Sequence, residues 1–136
     1  MCRSCDAAGL LAGAGLKVTA QRLRVLGGLL EADEALSAKA LLARVRQGGP
    51  MDKVTLYRAL EALCEAGLIT RHEAGDSSVR YCPGGPAHPE HHHFYCLHCG
   101  RLFCLEPGTV TVRADVPGVA QVNVRLDGAC RECGAG

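Results

Sequence analysis

The sequence predicts an α+β fold: an N-terminal winged helix-turn-helix followed by a small α/β domain with a zinc site of two Cys-x-x-Cys knuckles. Three observations predict it. Residues 1–83 hold three capped amphipathic helical segments and then two short strand segments joined by a turn. Five of the six His lie between His88 and His98, and the spacing of Cys96 and Cys99 recurs at Cys130 and Cys133. Between these regimes Pro83-Gly84-Gly85-Pro86 fits a hinge.

The elements follow in order. A short helix fits Ala7 to Ala14, weakened by its glycines. Thr19 can cap a helix that carries Leu23, Leu26, Leu29 and Leu30 on one face. Ser37 can cap a second, with Leu41, Leu42 and Val45 inward and Gly48-Gly49-Pro50 as its stop. Asp52 can cap a third, with Leu56, Ala59, Leu60 and Leu63 inward and Gly67 at its C-terminal cap. Strands are predicted at Leu68–His72 and Ser78–Cys82 around a turn at Ala74-Gly75-Asp76. Three helices and a hairpin make a winged helix, an architecture that most often binds DNA. The second half reads as strands at Phe94–Leu97, Leu102–Leu105 and Val119–Leu126. Glu106–Gly118 is ambiguous, because β-branched Val110, Thr111 and Val112 oppose a helix there.

Composition narrows the function. The chain has 136 residues, 48% of them hydrophobic and 21% charged, as a globular protein does. No apolar stretch approaches the roughly 20 residues that span a bilayer, so no membrane partner is expected. The start Met-Cys-Arg-Ser-Cys-Asp lacks the pattern of a signal peptide, and a cytoplasmic location is expected. Nine Cys is an odd number, and thiols at short spacings in a reducing compartment more often bind metal than pair as disulfides. The net charge of +1 excludes coating of nucleic acid by bulk charge, so DNA binding requires a local patch.

Cys96, Cys99, Cys130 and Cys133 carry the strongest signal. Two knuckles can present four thiolates to one tetrahedral zinc, with Gly100 and Gly134 completing the turns. Redox dithiols are the rival, but no thioredoxin-like βαβ pattern accompanies them. A closed four-thiolate site has no open position, so its role is structural. His88, His91, His92, His93, Cys82 and Cys104 remain. Two imidazoles with two thiolates suit zinc better than iron or manganese. The alternative is a solvent-exposed His run beside two buried thiols. His88-x-Glu90 has the outline of a deaminase motif, but no Pro precedes Cys96. With no nucleophile–base pair or glycine-rich phosphate loop either, the chain is read as no enzyme.

The third helix offers Lys53, Thr55, Tyr57 and Arg58 on its first turns, where a recognition helix meets the major groove. Lys17, Arg22 and Arg24 add positive charge nearby. A solvated amphipathic face is the bland alternative, which the following hairpin and basic cluster disfavour.

Four motifs together resemble the ferric uptake regulator family: Leu16-Lys17-Val18-Thr19-Ala20-Gln21-Arg22, Thr55-Leu56-Tyr57-Arg58-Ala59-Leu60, Ala66-Gly67-Leu68-Ile69-Thr70-Arg71-His72 and His91-His92-His93-Phe94-Tyr95-Cys96-Leu97-His98-Cys99-Gly100. The resemblance spans roughly residues 10 to 105. It implies a homodimeric, metal-dependent repressor of transcription that binds double-stranded operator DNA. Residues 1–83 would then be the DNA-binding domain, 84–90 the hinge and 91–136 the dimerisation and metal-binding domain.

Within the family the chain is most similar to zinc uptake regulators, because Cys82 stands where iron sensors usually carry Glu. The resemblance implies a structural zinc on Cys96, Cys99, Cys130 and Cys133, and a second, regulatory zinc on Cys82, His91, His93 and Cys104. The fourth regulatory ligand is open among Cys104, His72, His88 and Glu106. Ala35 and Thr70 replace ligands that relatives carry at those places. Family members usually have a full helix between the knuckles, whereas Glu106–Gly118 is short and holds Pro107, Gly108, Pro117 and Gly118. The implied function is zinc-responsive repression of zinc-uptake genes. The alternatives are a same-family sensor of iron, another metal or peroxide, and a zinc-storing or zinc-delivering protein without DNA binding. Cys2 and Cys5 could form a third metal or redox pair or lie in a frayed terminus.

Overall fold

The computed structural model describes residues 6–84, 92–120 and 122–134. Helix α1 (Ala7–Gly13) is capped by Asp6, whose carboxylate accepts from the Ala8 N–H at 3.1 Å. Helices α2 (Ala20–Leu30), α3 (Ala38–Arg46) and α4 (Lys53–Glu65) begin at the expected caps Thr19, Ser37 and Asp52. Each of these side chains accepts from the third residue onward, at 3.2, 3.1 and 2.7 Å, satisfying an N–H with no partner within the helix. Gly67 ends α4 at φ 75°, a conformation that favours glycine. Strands β2 (Ile69–Glu73) and β3 (Val79–Pro83) form the antiparallel wing.

Leu11, Val25, Leu26, Leu29, Leu41, Leu56, Leu60 and Leu63 are fully buried or nearly so and form one core among the helices. Arg24 locks the loop into α4, donating to the carbonyls of Val45, Gly49 and Pro50 at 2.7–3.0 Å. Its charge, expected beside DNA, therefore serves the fold.

The second sheet mixes both halves of the chain. Its order is β1 (Glu34–Ala35), β5 (Leu102–Cys104), β4 (His93–Cys96), β6 (Arg125–Gly128). The two-residue β1 escaped the sequence reading because it has no periodicity; it forms only because β5 supplies an edge. A smaller core of Ala35, Ala74, Cys82, Tyr95 and Leu102, joined by Cys104, lies where wing and sheet meet.

Two expectations are corrected, and the ambiguous stretch Glu106–Gly118 is resolved. The strand predicted at Val119–Leu126 is limited to Arg125–Gly128, because parallel pairing with β4 starts at His93 opposite Arg125. Among the described residues no helix forms between Cys104 and Arg125; Gly108 and Gly118 turn the chain at positive φ. A helical turn, α5 (Arg131–Gly134), carries the second knuckle where none was expected. Gly84, first residue of the expected hinge, is buried and donates to the Leu68 carbonyl at 2.9 Å, while 85–90 lie outside the described residues. No helix among the described residues is long and apolar enough to cross a membrane.

Candidate functional site

The first knuckle leaves β4 at Cys96 and turns back through Gly100 at φ 76°, whose N–H donates to the Cys96 carbonyl at 2.9 Å. The second turns on α5, where the Cys133 N–H meets the Cys130 carbonyl at 3.1 Å. Space at Gly134 is tight: a Cβ there would lie 3.1 Å from that of Ala129. The parallel β4–β6 pairing brings the turns together, so the four Sγ atoms lie within 4.8 Å of one another. Cys99 and Cys130 Sγ are 3.9 Å apart.

All seven described cysteines carry free thiols. The backbone N–H groups of Cys99 and Cys130 donate to Cys96 Sγ at 3.4 and 3.3 Å. These bonds hold the Cys96 thiol down to about 5. The neighbouring Cys130 sulfur, with which it shares a hydrogen bond, pushes Cys133 up to about 12. Sulfurs gathered this closely cannot all ionise without a cation among them. Four thiols within 4.8 Å of one another are a donor set that could hold zinc.

A second cluster joins wing to sheet. His72 on β2, Cys82 on β3 and His93 on β4 bring ligand atoms within 4.8 Å of one another. Cys82 Sγ stands 3.5 Å from His93 Nε2, and both residues are buried. Thr70 Oγ1 bridges His72 Nε2 at 2.9 Å and Cys82 Sγ at 3.4 Å, which orients both ligand candidates. Cys104 pairs across the ladder from His93, and contact with the Cys82 thiol raises its own thiol far above the usual range.

Of the expected regulatory set, the fold gathers Cys82 and His93, with Cys104 touching Cys82; His91, and the alternative His88, lie outside the described residues. His72, only an alternative in the sequence reading, completes the cluster. It could be found because β2 and β3 alternate: Thr70 faces Cys82 directly, and His72 lies two residues along the same face. Glu106 is exposed and lies beyond β5.

On α4, Lys53, Tyr57 and Arg58 are exposed while Thr55 is half-buried and spends its N–H on the Asp52 cap. Tyr57 is 51% exposed although its neighbour Leu56 is buried, so the outward face is accessible. Lys17 is exposed just ahead of α2; Arg22 donates to its carbonyl at 2.9 Å. Arg22 therefore shapes the entry to α2 with part of its guanidinium.

Residues 13–116 match the model of the ferric uptake regulator family. The ferric uptake regulation protein of Klebsiella pneumoniae is 33% identical over 134 aligned residues, covering 88% of this chain and 84% of that protein. The solved ferric uptake regulator of Vibrio cholerae superposes with a TM-score of 0.69 at 25% identity, covering 92% of this chain and all of that one. A zinc uptake regulator complexed with zinc and DNA superposes at 0.60 with 26% identity, covering 91% of this chain and 87% of that one. A winged helix, a four-thiol knuckle pair and a His/Cys cluster between wing and sheet are thus found in a chain that matches these regulators along most of its length. The chain belongs to the ferric uptake regulator family, whose members are metal-responsive, DNA-binding regulators of transcription.

Proposed function

We propose that this protein is a zinc-responsive repressor of zinc-uptake genes that binds operator DNA as a homodimer. The observation that carries the reading is the wing cluster. The Cys82 thiol meets two imidazoles, His72 and His93, and a second thiol, Cys104, touches Cys82. Thiolate and imidazole donors together favour zinc over iron or manganese, which prefer more oxygen ligands. Zinc held there would tie the wing to the sheet, while the four-thiol cluster would hold a structural zinc that keeps β4, β6 and α5 together.

Lys53, Thr55, Tyr57 and Arg58 would read the major groove, and Lys17 would contact the backbone. A dimer fixes the separation of two such helices, so wing position decides whether both reach successive grooves. Exposed Val112, Val116, Val119 and Leu126 in the C-terminal half support association with a second copy. Zinc acts through its higher affinity for the DNA-competent arrangement, and DNA must strengthen zinc binding by the same factor.

An iron-responsive regulator is the second reading, favoured by the name of the Klebsiella pneumoniae relative. Duplex DNA enriched from a random pool by the metal-loaded protein decides between them. Gel shifts with zinc, ferrous iron and manganese should show retention at the lowest free concentration for zinc. Retention that favours ferrous iron would overturn the zinc assignment.

A further inference from the structure

Arg101 leaves the first knuckle one residue after Gly100 and reaches two distant parts of the chain. Its Nε donates to Glu34 Oε2 at 2.5 Å, and its Nη1 lies 3.5 Å from Glu132 Oε2. The guanidinium carbon stands 4.7 Å from the centroid of the Phe103 ring, which stacks the planar group and fixes its direction. Glu34 is in β1, the link from α2 to α3, whereas Glu132 sits between Cys130 and Cys133 on α5. Along the same edge Ala35 pairs with Leu102, and the Cys104 N–H meets the Asp33 carbonyl at 3.4 Å. The stretch from Arg101 to Cys104 therefore adjoins the four-thiol cluster at one end and the wing cluster at the other. Along its side it holds β1, and through β1 the start of α3.

We propose that Arg101 is a positioning residue that transmits metal occupancy to the helix-turn-helix through β1. The inference rests on the metal-dependent DNA binding proposed above and adds a route to it. A metal that holds Cys104 beside Cys82 fixes β5. The Arg101–Glu34 pair and the ladder fix β1 to β5. Ser37, two residues after Ala35, caps α3, and α3 packs beside the recognition helix in the main core. This path enters the DNA-binding domain at the start of α3, where Leu36 also exchanges backbone hydrogen bonds with Tyr81 of the wing at 2.9 and 2.8 Å. Arg101 is 41% exposed, so the pair itself contributes little to global stability. Its substitution is therefore a test of coupling.

Arg101→Met, which keeps an apolar stem over Phe103, and Glu34→Gln are compared with the parent in the full chain. DNA affinity with and without zinc is measured on a duplex enriched from a random pool, together with zinc content and thermal midpoint. Both variants should keep parental zinc content and midpoint, while the zinc-induced gain in DNA affinity falls by about twofold to thirtyfold. The double variant should fall no further than Arg101→Met alone, because the pair that Glu34→Gln removes is already lost there. A second readout needs no DNA: zinc should slow hydrogen exchange at Ala40 and Leu41 of α3 in the parent and less in Arg101→Met. If parental DNA binding ignores zinc, the proposed function fails, and the exchange measurement still judges Arg101. If the parent responds and both variants respond equally, or if they lose zinc or melt early, the positioning role is overturned.

Discussion

The His72 and His93 rings lie with centroids 4.3 Å apart and planes tilted by 48°, although they come from different sheets. Two imidazoles drawn together across the seam, with Cys82 beside them, leave one place where a single ion closes wing onto sheet. His72→Ala should therefore lower zinc content from about two to about one per chain, given one ion per four-ligand site. Metal analysis after dialysis checks this; an unchanged content would remove His72 from the site.

Cys82→Ser should keep the structural zinc and the dimer yet abolish the zinc dependence of DNA binding. Two thiolates, two neutral imidazoles and one divalent zinc carry no net charge together. Zinc at the wing therefore cannot tighten DNA binding by making the protein more basic; it must act through geometry. Gel shifts across a zinc titration decide, and a parental response would make Cys82 a bystander.

Cys99→Ser should lose about one zinc per chain and unfold or monomerise the C-terminal half, since metal binding there is folding energy. Protonation gives an independent check. Cys96 is ionised above about 5 while Cys133 stays protonated up to about 12. In the Cys82→Ser background, zinc uptake at neutral pH should release fewer than four protons, because Cys96 has already lost its own. Calorimetry in buffers of different ionisation enthalpy counts them, and release of four would contradict the hydrogen bonds to Cys96.

Arg58→Ala should weaken binding to the selected duplex by about 1–3 kcal/mol if the guanidinium reads a guanine. Lys17→Ala should instead weaken all sequences alike and flatten the salt dependence by about one unit of slope. Anisotropy across a salt series separates the two. Parental behaviour of both variants would mean that another surface meets DNA.

Gly75→Ala should disturb the wing without touching a ligand. A Cβ at Gly75 would lie 2.4 Å from Cε2 of Tyr95, so either the turn or the buried ring must shift. Overpacking of this kind costs typically about 1–3 kcal/mol. Zinc affinity of the wing cluster should fall with stability, and Tyr95→Leu should restore part of both. A variant with parental zinc affinity would show that the turn is not pressed against the sheet.

Much of this was legible in the chain itself. Caps at Thr19, Ser37 and Asp52 each needed only a short polar side chain before an apolar stripe, a local signal. The knuckles announced themselves by spacing. Other features were not local. β1 exists because β5 offers an edge; His72 joins the cluster because the wing's register brings it beside Cys82. Arg24 looked like surface charge until the loop carbonyls of Val45, Gly49 and Pro50 came within its reach. The strand expected at Val119–Leu126 failed for a related reason. Its β-branched residues favour extension, but only Arg125–Gly128 finds β4 to pair with.

The parallel pairing of β4 with β6 also sets an order of assembly. The helices and wing draw their core from residues 6–84 alone, so they can form as soon as that stretch is together. The sheet cannot. β6 must return across the long turn-rich stretch after Cys104, and β1 must wait for β5, nearly seventy positions further along the chain. Closing such distant pairs costs loop entropy before any contact repays it, which slows the step. Refolding should accordingly be biphasic, with amides of α2 and α4 protected first and those of β4 and β6 later. Zinc should accelerate only the late phase, since the two halves of each candidate site meet in that step.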